Sequence, residues 1–193
     1  MLGIIFVYLI QRIQAYLPLN VESLPNVESF SALNTAISFA TNTNWQGYSG
    51  ESTMSYLVQM TGFGVQNFVS AATGIATAFV LMRSFVLKES KFIGNFFADL
   101  IRISLYILLP ICFIYAIFLA SQGVIQNFNE YVHASTLTGD SQIIAMGPVA
   151  SQEAIKLIGT NGGGFFNVNS AHPFENTTAI SNFSQCLAIF LIS

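Results

Sequence analysis

Apolar positions in this chain fall into long uncharged runs, and the polar positions gather between them. Ser52 to Met82 and Ile103 to Asn129 contain no Asp, Glu, Lys or Arg. Each run exceeds the roughly 20 residues that cross about 30 Å of hydrocarbon at about 1.5 Å per residue. The pattern predicts membrane helices over 1–17, 53–86, 99–121 and from 178 onward. Two shorter apolar segments lie between them. In the first, Ser29 or Ser31 is placed to cap a helix running to Ala40, with Glu28 beside its positive end. In the second, Pro148 suits the first turn of a helix running to Ile158. About eleven residues at helical rise reach about 16 Å, so these half-helices enter a bilayer without crossing it. A polar, turn-rich stretch then returns to the same side. The predicted order is therefore helix, half-helix, polar loop, helix, read twice.

Composition sharpens the solvent. Of 193 residues, 53% are hydrophobic and 8% charged, against about 25% charged in an ordinary soluble domain. Arg83, Lys88, Lys91 and Arg102 are four of the six basic residues, and the positive-inside rule sends loop 87–98 to the cytoplasm. Both polar loops then open externally, together with Glu22, Glu28, Glu51, Glu130, Asp140, Glu153 and Glu175. A net charge of −3 with no basic cluster argues against nucleic acid. Cys112 and Cys186 fall in different apolar segments and read as packing residues; His133 and His172 lack paired ligands and read as solvated or hydrogen-bonding groups. Residues 1–10 have neither a cationic start nor a small-residue cleavage site, so they look like the end of a membrane helix rather than a signal peptide. Both ends of the chain read as truncated.

The two polar loops carry the chemistry. The first is Thr41-Asn-Thr-Asn-Trp-Gln-Gly-Tyr48 and the second Thr160-Asn-Gly-Gly-Gly-Phe-Phe-Asn167, both uncharged. Setting Thr41-Asn42 over Thr160-Asn161 aligns the two regions. A bare cation in hydrocarbon costs tens of kcal/mol by the Born estimate, so a permeation site must replace its water with oxygens. Rings of carbonyl dipoles let a monovalent ion enter and leave, which fits potassium. The glycines Gly162, Gly163 and Gly164 are expected to adopt positive φ and turn successive carbonyls to one axis. Each half-helix aims its carbonyl end, about half a negative charge, at the same region.

Blander readings stand beside this one. Asn, Thr and Gly stretches are usually ordinary loops. A phosphate-binding loop would follow a strand and end in Gly-Lys-Ser/Thr, whereas Gly164 is followed by Phe165. The acceptor triplets at Asn176 and Asn182 are frequent by chance. Lys156, inside the second half-helix, is expected to pair with Glu153 or to snorkel to the interface, and alternatively to affect ion occupancy. Gln59, Gln66 and Asn67 either face a polar cavity or bond between helices. Gly62, Gly64, Ser70, Ala71, Ala72 and Gly74 suit close helix packing, and Pro110 is expected to kink the third helix.

The stretches Leu33-Asn-Thr-Ala-Ile-Ser-Phe-Ala-Thr-Asn-Thr-Asn-Trp-Gln-Gly-Tyr-Ser-Gly-Glu51, Met146-Gly-Pro-Val-Ala-Ser-Gln-Glu-Ala-Ile-Lys-Leu-Ile-Gly-Thr-Asn-Gly-Gly-Gly-Phe-Phe-Asn167 and His172-Pro-Phe-Glu-Asn176 closely resemble the A subunit of the bacterial potassium-transporting (Kdp) ATPase. The resemblance implies an all-α membrane protein of the bacterial plasma membrane with a potassium-channel-like fold. Two of its four helix, pore loop and helix repeats would be present, at 1–86 with pore loop 29–47 and at 99–193 with pore loop 148–167. It implies that Thr41, Asn42, Thr43, Asn44 and Gln46 belong to one filter loop, and Thr160, Asn161, Gly162, Gly163 and Gly164 to another. It also implies partners: a P-type ATPase catalytic subunit, a small C subunit and a single-helix peptide. The chain itself would bind potassium ion and cleave no ATP. The alternatives are a stand-alone potassium channel or secondary potassium transporter, and an inactive fragment.

Overall fold

The two uncharged runs fold into the two longest helices. A computed structural model describes residues 1–86 and 94–191. Among these residues the order is α1 (Leu2–Arg12), α2 (Ser29–Ala40), α3 (Val58–Val86), α4 (Phe96–Ser121), β1 (Val132–Ser135), β2 (Ser141–Ile144), α5 (Val149–Ile158) and α6 (Ala179–Leu191). Helices α3 and α4 are long and apolar enough to cross a membrane, and α1 and α6 are shorter apolar helices. Most of the expected loop at 87–98, namely 87–93 with Lys88 and Lys91, lies outside the described residues.

Local chemistry sets the element ends. The first helix stops at Arg12 and gives one 3-10 turn at Gln14–Tyr16. Leu17 is then extended (φ −92°, ψ 153°), as the residue before Pro18 must be. Helix α3 starts later than its composition suggests, because the chain makes a single turn at Gly50–Thr53 and breaks at an extended Met54. At α2 the cap is Glu28 rather than Ser29 or Ser31. Its carboxylate accepts from Phe30 N at 2.8 Å and Ser31 N at 3.0 Å, and from Ser29 Oγ at 2.8 Å. The backbone bonds from Ser31 and Phe30 hold this carboxyl below its ordinary 4.5.

Pro110 does not break α4. Its ring removes one N–H and crowds the carbonyl four residues back, and the helix widens to π geometry over Ile103–Leu108 immediately before it. The all-α expectation needs one correction. Strands β1 and β2 pair antiparallel with Val132 opposite Ile144 and Ser135 opposite Ser141. Thr136 N donates to Asp140 O at 2.8 Å, and Gly139 takes φ +90° between them. Four-residue strands and a Gly turn left no long apolar run for periodicity to register.

Three packed clusters join the elements. Val7 and Ile10 of α1 meet Ala32, Ala36 and Phe39 of α2 and Phe63 of α3. Leu119 of α4 packs with Val149, Ala150 and Ala154 of α5 and with Tyr56, Phe165 and Phe166. Ala71, Ala72 and Ala76 of α3 pack against Ile103, Leu108 and Cys112 of α4 and Leu157 and Ile158 of α5. Small residues let these backbones approach. Gly74, expected in that packing, instead has nothing within 4 Å of the point where a Cβ would stand. Cys112 is buried, as a packing residue is expected to be, whereas Cys186 is exposed.

Phe39 and Phe63 stack with ring centroids 4.4 Å apart, and both are fully buried. Phe39→Ala should destabilise the folded protein by about 3–5 kcal/mol, the usual cost of deleting a buried ring. Thermal unfolding of the full-length protein in detergent measures this, and an unchanged midpoint would contradict the packing described.

Candidate functional site

The first polar loop folds back over the end of α2. Thr43 N and Asn44 N both donate to Ser38 O, at 2.9 and 3.1 Å, and Ser38 Oγ donates to Trp45 O at 3.0 Å. The reversal needs left-handed backbone, which Asn42 (φ 58°) and Asn44 (φ 55°) supply. Asn is among the side chains that tolerate that region. Thr41 and Thr43 remain exposed, with their hydroxyl oxygens 2.9 Å apart.

The second loop leaves α5 in a related way. Gly159 N donates to Ile155 O at 2.9 Å and Asn161 N to Lys156 O at 2.9 Å. Here the left-handed residue is Thr160 (φ 52°), while Gly162, Gly163 and Gly164 do not adopt positive φ. That corrects the expectation for the glycines. Space explains two of them: a Cβ on Gly163 would stand 2.7 Å from the Phe39 ring and 3.0 Å from Asn44 O. One on Gly164 would stand 2.9 Å from Lys156 Nζ. Gly162 is open, its nearest neighbours Thr43 O and Asn44 Cβ both at 3.9 Å.

The two loops meet directly. Asn161 Nδ2 donates to Asn42 Oδ1, the residue aligned with it in sequence. That oxygen also accepts from Asn44 Nδ2 at 3.1 Å and Ser70 Oγ at 3.0 Å, so it serves as a junction. Gln46 binds both peptide groups of Gly164, accepting from its N at 3.0 Å and donating to its O at 3.1 Å. Beside this clamp, Asn67 Nδ2 donates to Gly163 O at 3.5 Å and Gln59 Nε2 to Phe165 O at 3.4 Å. Asn169 Nδ2 donates to Gly162 O. Each carbonyl from 162 to 165 thus accepts from one carboxamide. Gln59 also accepts from Gln152 Nε2 at 2.9 Å, so Gln59 and Asn67 bond across elements. Gln66 is not in this set and lies against Gly3 of α1.

Among the described residues, the carbonyls of Asn42, Thr43, Asn44, Thr160 and Asn161 receive no hydrogen bond. Asn42, Ser70, Gly74, Gly159 and Thr160 border a cavity of about 230 Å³ beside the loops. Both α2 and α5 present their carbonyl ends here, each carrying about half a negative charge by the macrodipole estimate. The arrangement offers uncharged oxygens and a negative field.

Charge sits behind the second loop. Lys156 and Glu153 form an ion pair one turn apart on α5, and each is 1% exposed. Lys156 therefore does not snorkel. Ser170 Oγ donates to Glu153 Oε1 at 2.7 Å, and Lys156 Nζ donates to Asn169 Oδ1 at 2.7 Å. Glu175 is fully buried, accepts from Phe166 N at 3.3 Å, and has its second oxygen without a hydrogen bond. Burial raises its carboxyl to about 8, opposed by the Lys156 charge. His172 stacks on Phe166 at 3.7 Å and its Nδ1 accepts from Phe174 N at 3.2 Å, and burial lowers it. Sequence reasoning missed Asn169, whose only local sign is its place in a polar turn after two phenylalanines.

The family model described as potassium-transporting ATPase A subunit (KdpA) matches residues 1–193. The chain belongs to the KdpA family. A potassium-transporting ATPase potassium-binding subunit of Methylibium petroleiphilum is 63% identical over 99% of this chain. The protein of that name from Yersinia pestis is 60% identical over 100% of it. The chain spans 34% of the length of each of these relatives. This KdpA chain is a mostly helical membrane protein, and it matches a part of its longer relatives.

Steric crowding separates the glycines. In a full-length KdpA carrying these residues, Gly163→Ala should cost about 1–3 kcal/mol through overpacking and lower the yield of folded protein, while Gly162→Ala should not. Equal yields on size exclusion would contradict the crowding at Gly163. Glu175 supplies a pH dependence. Between its ordinary 4.5 and about 8 the folded chain binds more protons at this group than the unfolded chain, so stability falls as pH rises through that window. Glu175→Gln should flatten the fall in a melting series, and a parallel slope would show that another group causes it.

Proposed function

We propose that this chain contributes two of the four pore-loop repeats of the potassium-selecting subunit of an ATP-driven potassium uptake complex. The observation that carries the proposal is the meeting of two uncharged loops at the carbonyl ends of two short helices, with unbonded carbonyls on Asn42, Thr43, Asn44, Thr160 and Asn161. A monovalent cation that loses its water needs such oxygens, and neutral dipoles let it leave again where fixed carboxylates would hold it. The names of the relatives, potassium-binding subunits of a potassium-transporting ATPase, support potassium as the cargo.

In this reading Thr41, Asn42, Thr43, Asn44 and Gln46 form one side of the filter and Thr160, Asn161, Gly162, Gly163 and Gly164 an adjoining side. Backbone oxygens touch the ion; the Asn42, Asn161 and Gln46 side chains tie the two sides together. Residues 1–86 and 99–193 form successive repeats in a bacterial plasma membrane, with loop 87–98 cytoplasmic and the loops open externally. The remaining repeats complete the ring. A P-type ATPase subunit hydrolyses ATP, and a small C subunit and a single-helix peptide complete the assembly.

The full-length subunit assembled with those partners should show ATPase activity stimulated at least about tenfold more effectively by potassium than by sodium, a preference of about 1.4 kcal/mol. Half-saturating concentrations for the two ions measure it. Equal stimulation would sink the proposal.

A further inference from the structure

Gly162 is the open glycine of the second loop. Steric contact fixes Gly163 and Gly164, but a Cβ on Gly162 would meet nothing closer than 3.9 Å. Its carbonyl is instead held by a side chain from outside the loop, Asn169. We infer that Lys156 is a positioning residue for the Gly162 carbonyl, acting through the carboxamide of Asn169. This inference rests on the reading of the two loops as the potassium-selecting site.

Donor and acceptor chemistry sets the order of these contacts. A carboxamide has an acceptor at one end and donors at the other, an ammonium only donates, and a carbonyl only accepts. Lys156 Nζ takes Asn169 Oδ1 at 2.7 Å, which leaves the Nδ2 end to face Gly162 O. The flipped amide would set NH₂ against the ammonium and oxygen against oxygen. Lys156 is itself held by its ion pair with Glu153 and is almost wholly buried, so it cannot exchange Asn169 for water. Asn169 sits at φ +54° and donates its own N to Phe166 O at 3.1 Å, which anchors its backbone to the same loop. The chain of contact therefore runs from Glu153 through Lys156 and Asn169 to Gly162 O. An oxygen aimed by a buried charge has a defined direction toward an ion, whereas a glycine peptide without that restraint samples a wider range.

The test uses the full-length complex with its partner subunits and reads three quantities: assembly on size exclusion, half-saturating potassium and rubidium for ATPase stimulation, and maximal rate. Asn169→Leu and Lys156→Met should each raise half-saturating potassium about tenfold, the scale of one lost hydrogen bond to a charged group. Maximal rate should hold, and the preference over rubidium should narrow. The double variant should be no worse than the worse single, because both break one relay. Asn169→Asp keeps the size and the acceptor for Lys156 but cannot donate to Gly162 O, so it should show the same shift and decides the matter if the apolar variants do not assemble. Unchanged potassium affinity and rubidium preference in assembled variants, or shifts that simply add, would overturn the relay. A parent complex with no potassium preference would instead overturn the reading of the loops.

Discussion

A backbone that leaves helical geometry away from water must find partners for its peptide groups among side chains. In this chain carboxamides meet that demand. Gln46, Gln59, Asn67 and Asn169 each donate to one carbonyl of the stretch from Gly162 to Phe165, and Gln46 also accepts from Gly164 N. An amide is uncharged and offers both donor and acceptor, so it can hold a loop without placing a fixed charge beside it. The polar residues along α3 follow from this: Gln59 and Asn67 face the second loop and bury their amides there.

The two loops are built differently despite their related sequence. The first turns on two left-handed asparagines and is tied to the end of α2 by Ser38. The second has ionisable groups behind it, the Glu153–Lys156 ion pair and the Glu175 carboxyl, all nearly inaccessible to solvent. Buried charges are tolerated when paired and hydrogen-bonded. Here Lys156 meets Glu153 and Asn169, and Ser170 meets Glu153. Glu175 has one oxygen without a partner, and its raised carboxyl follows from that burial.

Much of the architecture was legible in residue order. Charge-free runs announced α3 and α4, and the serines at 29 and 31 and the proline at 148 marked the starts of α2 and α5, although the α2 cap itself is Glu28. The pairing of Lys156 with Glu153 followed from helical spacing. The hairpin at 132–144 escaped notice because four-residue strands carry too little periodicity. The glycines were recognised as special for the wrong physical reason. None of Gly162, Gly163 and Gly164 takes a positive φ, and the nearness of Phe39 and Lys156 crowds a Cβ at Gly163 and Gly164 alone, while Gly162 has room for one.

The sequence by itself determined the solvent, the helices, the uncharged chemistry of the loops and the family, because charge distribution and motif are properties of linear order. Only the tertiary structure decided which oxygens are engaged and which are open. Asn42 lies beside Asn161, and Gln46 beside Gly164, through the packing of α2, α3 and α5. A hydrogen bond depends on distances of a few tenths of an ångström, and spacing along the chain carries no information at that scale between residues more than a hundred positions apart.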